Sequence, residues 1–193
     1  MTAAATEQAL IDAVLPFWFG VEAPGRDLAY QPRWFEKDPA FDAVIRACLR
    51  PLHDAAAAGG HDALVTSPHG ALAQVILLDQ VPRNLFRDSP RAFATDPQAR
   101  ALTRTALDRG WDQALHPLER LFLYLPLEHS ESLADQDLSV ALMTPLGERF
   151  ADYAERHRVI IARFGRFPHR NAALGRDSTA EERDFLTQPG SSF

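Results

Sequence analysis

Three arginines, a histidine and an asparagine stand between aromatic residues in the run Arg163-Phe164-Gly165-Arg166-Phe167-Pro168-His169-Arg170-Asn171. A solvated loop has no use for the phenylalanines, and a core has no use for the arginines. The mixture implies a rigid turn holding guanidinium groups in a partly desolvated place, where they bind carboxylate or phosphate through paired N–H donors. Arg163, Arg166 and Arg170 are candidate anion ligands, with His169 and Asn171 beside them. The bland alternative is that these arginines cap carbonyls at a helix end and pair with Asp79, Glu128 or Asp135. An unpaired buried charge costs several kcal/mol, so buried arginine needs such partners.

A second polar group interrupts an apolar run at Val75-Ile76-Leu77-Leu78-Asp79-Gln80-Val81-Pro82-Arg83-Asn84. Pro82 has no N–H for the carbonyl of Leu78, so the residues from Asp79 to Asn84 fall at a kink or helix end. Asp79, Arg83 and Asn84 join the candidate ligand-binding set, although the same three residues are equally suited to satisfying the carbonyls of the bend. A third interruption is Leu123-Tyr124-Leu125-Pro126-Leu127-Glu128-His129-Ser130. Burial raises a glutamate's pKa and lowers a histidine's, moving both toward the range used in proton transfer. Glu128 and His129 are the candidate catalytic pair. Neighbours on a helix diverge by about 100°, so they do not aim at one atom without help from Pro126.

No diagnostic catalytic sequence accompanies them. The chain has no GxSxG, HExxH or Walker loop and no paired cysteines, which leaves open whether it is an enzyme. A carboxylate–histidine metal site at Asp79, Glu128, His129 or His169 lacks a diagnostic spacing, and no metal or cofactor is expected. His157 and His169 read as structural histidines. Cys48 reads as a core residue on an apolar helix face. Phe17, Trp18, Phe19, Trp34 and Phe35 read as a hydrophobic cap, or as the apolar wall of a pocket.

The elements that must position these groups are helices. Apolar residues at helical spacing run from Thr6 to Trp18, with Gly20 closing the segment. Pro24, Gly25 and Pro32 mark an irregular connection. Cap-plus-proline signals at Asp38-Pro39, Ser67-Pro68, Thr95-Asp96-Pro97, His116-Pro117 and Thr144-Pro145 open further helices. The helix opened at Asp38 should bend at Pro51 and end at Gly59-Gly60. Another covers Ser132 to Met143. The helix from Thr144-Pro145 should be the longest and close at Gly165, and Ser178 or Thr179 with Glu181 or Glu182 opens a last short one. No alternating strand is evident. The expected fold is all-α, a single domain over 1–193 of about seven to nine antiparallel helices, with 1–5 and 189–193 as tails.

With 193 residues, 46% hydrophobic and 24% charged, the chain has the balance of a globular domain. A net charge of -6 argues against broad nucleic-acid binding but not against a local anion site. A single cysteine fits a reducing compartment, and no apolar run reaches the roughly 18 residues of a membrane span. A cytoplasmic protein without membrane attachment is the expectation.

The chain resembles the domain of unknown function 924 family. The resemblance rests on Val14-Leu15-Pro16-Phe17-Trp18-Phe19-Gly20, on Arg33-Trp34-Phe35, and on Leu77-Leu78-Asp79-Gln80-Val81-Pro82-Arg83-Asn84 with Phe86-Arg87. It continues through Tyr124-Leu125-Pro126-Leu127-Glu128-His129-Ser130, Phe164 to Asn171, and Pro189-Gly190-Ser191-Ser192-Phe193. Valine at 81 stands where a larger apolar residue is expected. The resemblance implies a bacterial, tetratricopeptide-like helical fold and carries no activity. Two functions remain: a pocket for a small anionic molecule with Glu128 and His129 in proton transfer, or a helical module for a protein or peptide partner in which the polar groups only fix the packing. The terminal Phe193 carboxylate is a competitor for the arginines in the first case.

Overall fold

Proline in the first helical turn, where its missing N–H costs nothing, sets most of the helix starts. A computed structural model describes residues 3–20 and 28–192 of the chain. Its helices are α1 (Ala3–Phe19), α2 (Pro39–Cys48), α3 (Arg50–Ala57), α4 (Pro68–Val75), α5 (Val81–Leu85) and α6 (Asp96–Asp108). They continue with α7 (Pro117–Glu128), α8 (Leu133–Met143), α9 (Glu148–Phe164), α10 (Asn171–Leu174) and α11 (Ala180–Leu186). No strand occurs among the described residues. Several caps act where the sequence places them, although Thr95 makes no side-chain cap. The Asp38 carboxylate accepts from Ala40 N at 2.8 Å, the Ser67 hydroxyl from Gly70 N at 3.1 Å, and both His116/Glu119 and Thr179/Glu182 form reciprocal capping boxes.

The main core joins α1, α2, α4 and α7, and a second, small cluster gathers Ile160, Ile161 and Phe167. Leu10, Ile11, Val14, Leu15 and Trp18 of α1 are buried with Phe41 and Ile45 of α2, nearly all of α4, and Leu121, Phe122 and Leu123 of α7. Phe122 is the hub of the aromatic cap, with Trp34, Trp18, Phe19 and Phe35 at ring-centroid distances of 5.0, 5.5, 5.5 and 6.0 Å. The Glu7 carboxylate ties α1 to the start of α4, accepting from Thr66 N at 2.8 Å and Ser67 N at 3.0 Å. A Cβ on Gly70 would sit 2.0 Å from that carboxylate, so the approach requires glycine. Helices α7, α8 and α9 pack as successive neighbours joined by short turns, which makes adjacent helices antiparallel.

Three local expectations need correction. Pro51 does not bend one helix: α2 ends at Cys48 and α3 begins afresh at Arg50. Cys48 is exposed, because the buried stripe is Phe41, Ile45 and Leu49, one residue further round. Thr144-Pro145 opens only a 3-10 turn (Thr144–Leu146); Gly147, at φ 130°, breaks it from α9, which starts at Glu148. Gly165 closes α9 with φ 68° and its N–H on Ile161 O at 2.8 Å. The segment 21–27, with Pro24 and Gly25, and the terminal Phe193 lie outside the described residues. Ser191 is buried, its hydroxyl donating to Leu186 O at 3.2 Å.

Candidate functional site

Between α4 and α5 the chain makes a π-turn, Ile76–Gln80, in which Val81 N–H reaches back to Ile76 O. Such wide turns occur where the ordinary ladder is interrupted, often at functional sites. Pro82 supplies the interruption. Four consecutive carbonyls then receive side-chain donors. Leu77 O accepts from His53 Nδ1 at 2.8 Å, Leu78 O from the Thr95 hydroxyl, Asp79 O from Arg83 Nη1 at 2.6 Å, and Gln80 O from Asn84 Nδ2 at 3.0 Å.

The same turn delivers Asp79 into the interior, wholly buried. Its carboxylate accepts from Gln80 Nε2 at 2.6 Å and meets His129 Nδ1 at 2.8 and 3.0 Å. Arg83 Nη1 stands 3.3 Å away and also forks onto Asp96, with Nη1 and Nη2 at 2.9 and 3.0 Å. Burial alone would raise the Asp79 pKa, but the Arg83 charge and the hydrogen bonds from His129 and Gln80 hold it well below the usual carboxylate range. An ionised Asp79 only accepts, so the proton of the imidazole sits on Nδ1 and Nε2 is the basic nitrogen. Among the described residues nothing hydrogen-bonds that Nε2, and the side chain keeps 14% of its surface. Burial, then Arg83, push the His129 pKa down, so the ring is neutral at neutral pH.

Arg170 completes the cluster from the turn after α9. Its Nη1 donates to His129 O at 3.0 Å and lies 3.6 Å from Asp96. The guanidinium lies over the rings of Phe167 at 4.4 Å and Phe93 at 4.7 Å. Its Nε is buried without a hydrogen-bond partner. Burial, then the Arg83 charge, lower its pKa to about 10. His169 tilts against Phe167 at 5.5 Å, its pKa pushed down to about 4 by burial and then Arg170.

Glu128 points elsewhere, as the rotation between adjacent helical residues requires. Its Oε1 is 3.3 Å from Nδ1 of the buried His157, which donates to Tyr153 O at 2.8 Å. Burial, and secondarily the Asp79 charge, push the Glu128 pKa up to about 8; burial pushes His157 down to about 3. At neutral pH this pair is an uncharged acid beside an uncharged base. Gln136 steadies the end of α7, donating to Glu128 O at 2.6 Å and Ser130 O at 2.7 Å.

The other candidates form separate networks. Arg166 forks onto Glu182 at 2.6 and 2.8 Å, Asn171 Nδ2 meets Glu182 at 3.3 Å, and Arg163 pairs with Glu181 at 2.8 Å. Arg176 bridges Asn171 to Glu131, whose carboxylate also accepts from Phe167 N at 2.8 Å. Asn84 turns its oxygen to Arg87, which forks onto Asp42. The structure thus gathers Asp79, Arg83, His129 and Arg170, whereas Arg163, Arg166 and Asn171 fasten α11. Arg166 and Arg170 part company at Phe167 and the 3-10 turn Pro168–Arg170. Asp96 reads in the sequence only as a helix opener, and Glu131, Arg176 and Glu182 do not stand out there as members of a site. The only signal was an acid at a helix start for Asp96 and Glu182; for Glu131 and Arg176 there was none. Among the described residues no three His, Cys, Asp or Glu groups are placed to hold a metal, and no helix is long and apolar enough to cross a membrane.

Fold and site together define an all-helical protein whose π-turn holds a buried carboxylate–imidazole pair flanked by two arginines. Residues 14–190 match the family described as bacterial protein of unknown function (DUF924), and the chain belongs to that family. It is similar to a solved protein of unknown function from Agrobacterium tumefaciens, at 41% identity over 96% of this chain and 98% of that one, with a TM-score of 0.84. No curated protein matches the chain.

Proposed function

We propose that the protein binds a small anionic molecule beside Arg170 and His129, and that His129 transfers a proton on it. The observation that carries this reading is the Asp79–His129 hydrogen bond at 2.8 Å, which leaves Nε2 basic, oriented and free of protein partners among the described residues. Fixing the tautomer and ring orientation of a base is what a buried carboxylate does in many proton-transfer sites. The partnerless Nε of Arg170 is a second support, since the edge of a guanidinium that carries Nε suits a carboxylate or phosphate. Asp79 is then a positioning residue, and Arg83 with Asp96 holds Asp79 in place. Glu128 is a neutral acid at the rear of the site rather than a partner of His129 at one atom.

The test is thermal unfolding with phosphate, citrate and nucleotides at millimolar concentration, since a ligand stabilises the fold according to its concentration over its Kd. At least one of these anions should raise the Tm of the wild type and fail to do so in Arg170→Lys, which keeps the charge but loses the fork. In His129→Asn, whose amide can still donate to Asp79, binding should survive while any proton transfer is abolished. No stabilising anion in the wild type sinks the proposal.

A second reading, a module for a protein or peptide partner in which the cluster only fixes helix packing, is favoured by charge closure. Asp79 and Asp96 balance Arg83 and Arg170. Under it, Arg170→Lys and His129→Asn lower stability and change nothing else.

A further inference from the structure

A second candidate binding site stands where α4, α6 and the 3-10 turn at Trp111–Ala114 meet, and it shares no residue with the Asp79 cluster. A cleft of about 330 Å³ opens there, with Asp62, Gln74, Leu78, Leu102, Arg109 and Trp111 in its lining. That volume suits a molecule the size of a phenyl ring with a short polar chain.

Gln74 carries the inference. The residue is 2% exposed, and its Nε2 donates to Asp62 Oδ1 at 2.8 Å. A carboxylate only accepts, so the amide cannot be flipped: the NH₂ must face Asp62 and the carbonyl must face away. That carbonyl oxygen is buried without a hydrogen-bond partner. A buried, unused acceptor destabilises the fold, so a native structure needs a reason to keep one. Asp62 Oδ2 also accepts no hydrogen bond among the described residues. Gln74 and Asp62 both line the cleft, so an unpartnered amide oxygen and a carboxylate stand at its wall beside Leu78 and Leu102. At Trp111 the Arg109 guanidinium lies 4.7 Å from the ring centroid, so the cation of the cleft is held at the indole.

We propose that this cleft binds a primary ammonium compound with an apolar body, its N–H donors shared between Gln74 Oε1 and Asp62 and its body against Leu78, Leu102 and Trp111. A free amine and the ammonium end of an amino acid offer the same head group; only the second also presents a carboxylate to Arg109.

The experiment titrates the wild-type chain with 2-phenylethylamine, phenylalanine and 3-phenylpropionate, by calorimetry and by the Trp111 indole N–H resonance. Saturable binding of 2-phenylethylamine and none of 3-phenylpropionate is expected. Affinity for the amine should fall at least tenfold in Gln74→Leu and in the exposed-site variant Asp62→Asn. Tighter binding of phenylalanine, lost in Arg109→Ala, assigns the site to amino acids; equal or weaker binding assigns it to amines. Three results overturn the proposal: no saturable amine binding at millimolar concentration, equal binding of the acid, or binding that survives both Gln74→Leu and Asp62→Asn. None of these bears on anion binding at Arg170.

Discussion

Asp79 and His129 constrain one another through a single proton. Because the carboxylate is ionised and buried, the imidazole should be the neutral Nδ1–H tautomer at pH 7, and the ¹⁵N shifts of His129 will report it directly. In Asp79→Asn, whose amide can offer either an acceptor or a donor, the tautomers should mix. The same variant removes a charge facing Arg83 and should destabilise the fold by about 3–5 kcal/mol in urea unfolding, the usual cost of breaking a buried pair. A single Nε2–H tautomer in the wild type would refute the assignment. At this scale the sequence was informative about which residues are polar in apolar surroundings and poor about their partners. Asp79, Arg83, His129 and Arg170 were all singled out, and they meet. Arg163 and Arg166 stand close to Arg170 in sequence, yet they pair with Glu181 and Glu182 of α11 while Arg170 reaches Asp96. Glu181 and Glu182 read only as capping acids.

The helices show which local signals suffice. Asp38-Pro39, Ser67-Pro68 and His116-Pro117 each begin a helix as read, because a cap and a first-turn proline act within a few residues. The π-turn was legible only as a bend at Pro82. Its form depends on donors that arrive from elsewhere: His53 from α3 and Thr95 from the start of α6. Thr95→Val should cost about 1–3 kcal/mol, the penalty for leaving a buried carbonyl without a donor. Combining it with Pro82→Ala, which restores a backbone N–H for Leu78 O, should recover part of that loss. A double-mutant cycle by urea unfolding measures the coupling; strict additivity would mean that Thr95 does not serve the carbonyl that Pro82 leaves open.

For the molecule as a whole, buried ionisable groups of opposite tendency set the pH profile. The folded state holds a proton on Glu128 to about pH 8 that an ordinary glutamate releases near 4.5. The stability it contributes is fully present below 4.5 and lost as pH rises through 8. His157 and His169 have the reverse sign: their values of about 3 and 4, against 6.5, give stability that is present above 6.5 and lost as pH falls. Each group contributes a slope of about 1.4 kcal/mol per pH unit inside its window. From 4.5 to 6.5 the two histidines outweigh the glutamate, and from 6.5 to 8 the glutamate acts alone. Stability should therefore peak near pH 6.5, and Glu128→Gln should flatten the alkaline limb while leaving the acid limb. Urea midpoints across pH 4–9 check both, and an unchanged alkaline limb in the variant would show that Glu128 is ionised in the fold. The π-turn also has a consequence in time. Its carbonyls are satisfied by residues drawn from before and after it in the chain, so it cannot be completed until α3 and α6 have docked. The Asp79–His129 pair it carries joins segments 50 residues apart. Whatever this site does, it forms only once those helices have packed against the turn and is lost when that packing is lost.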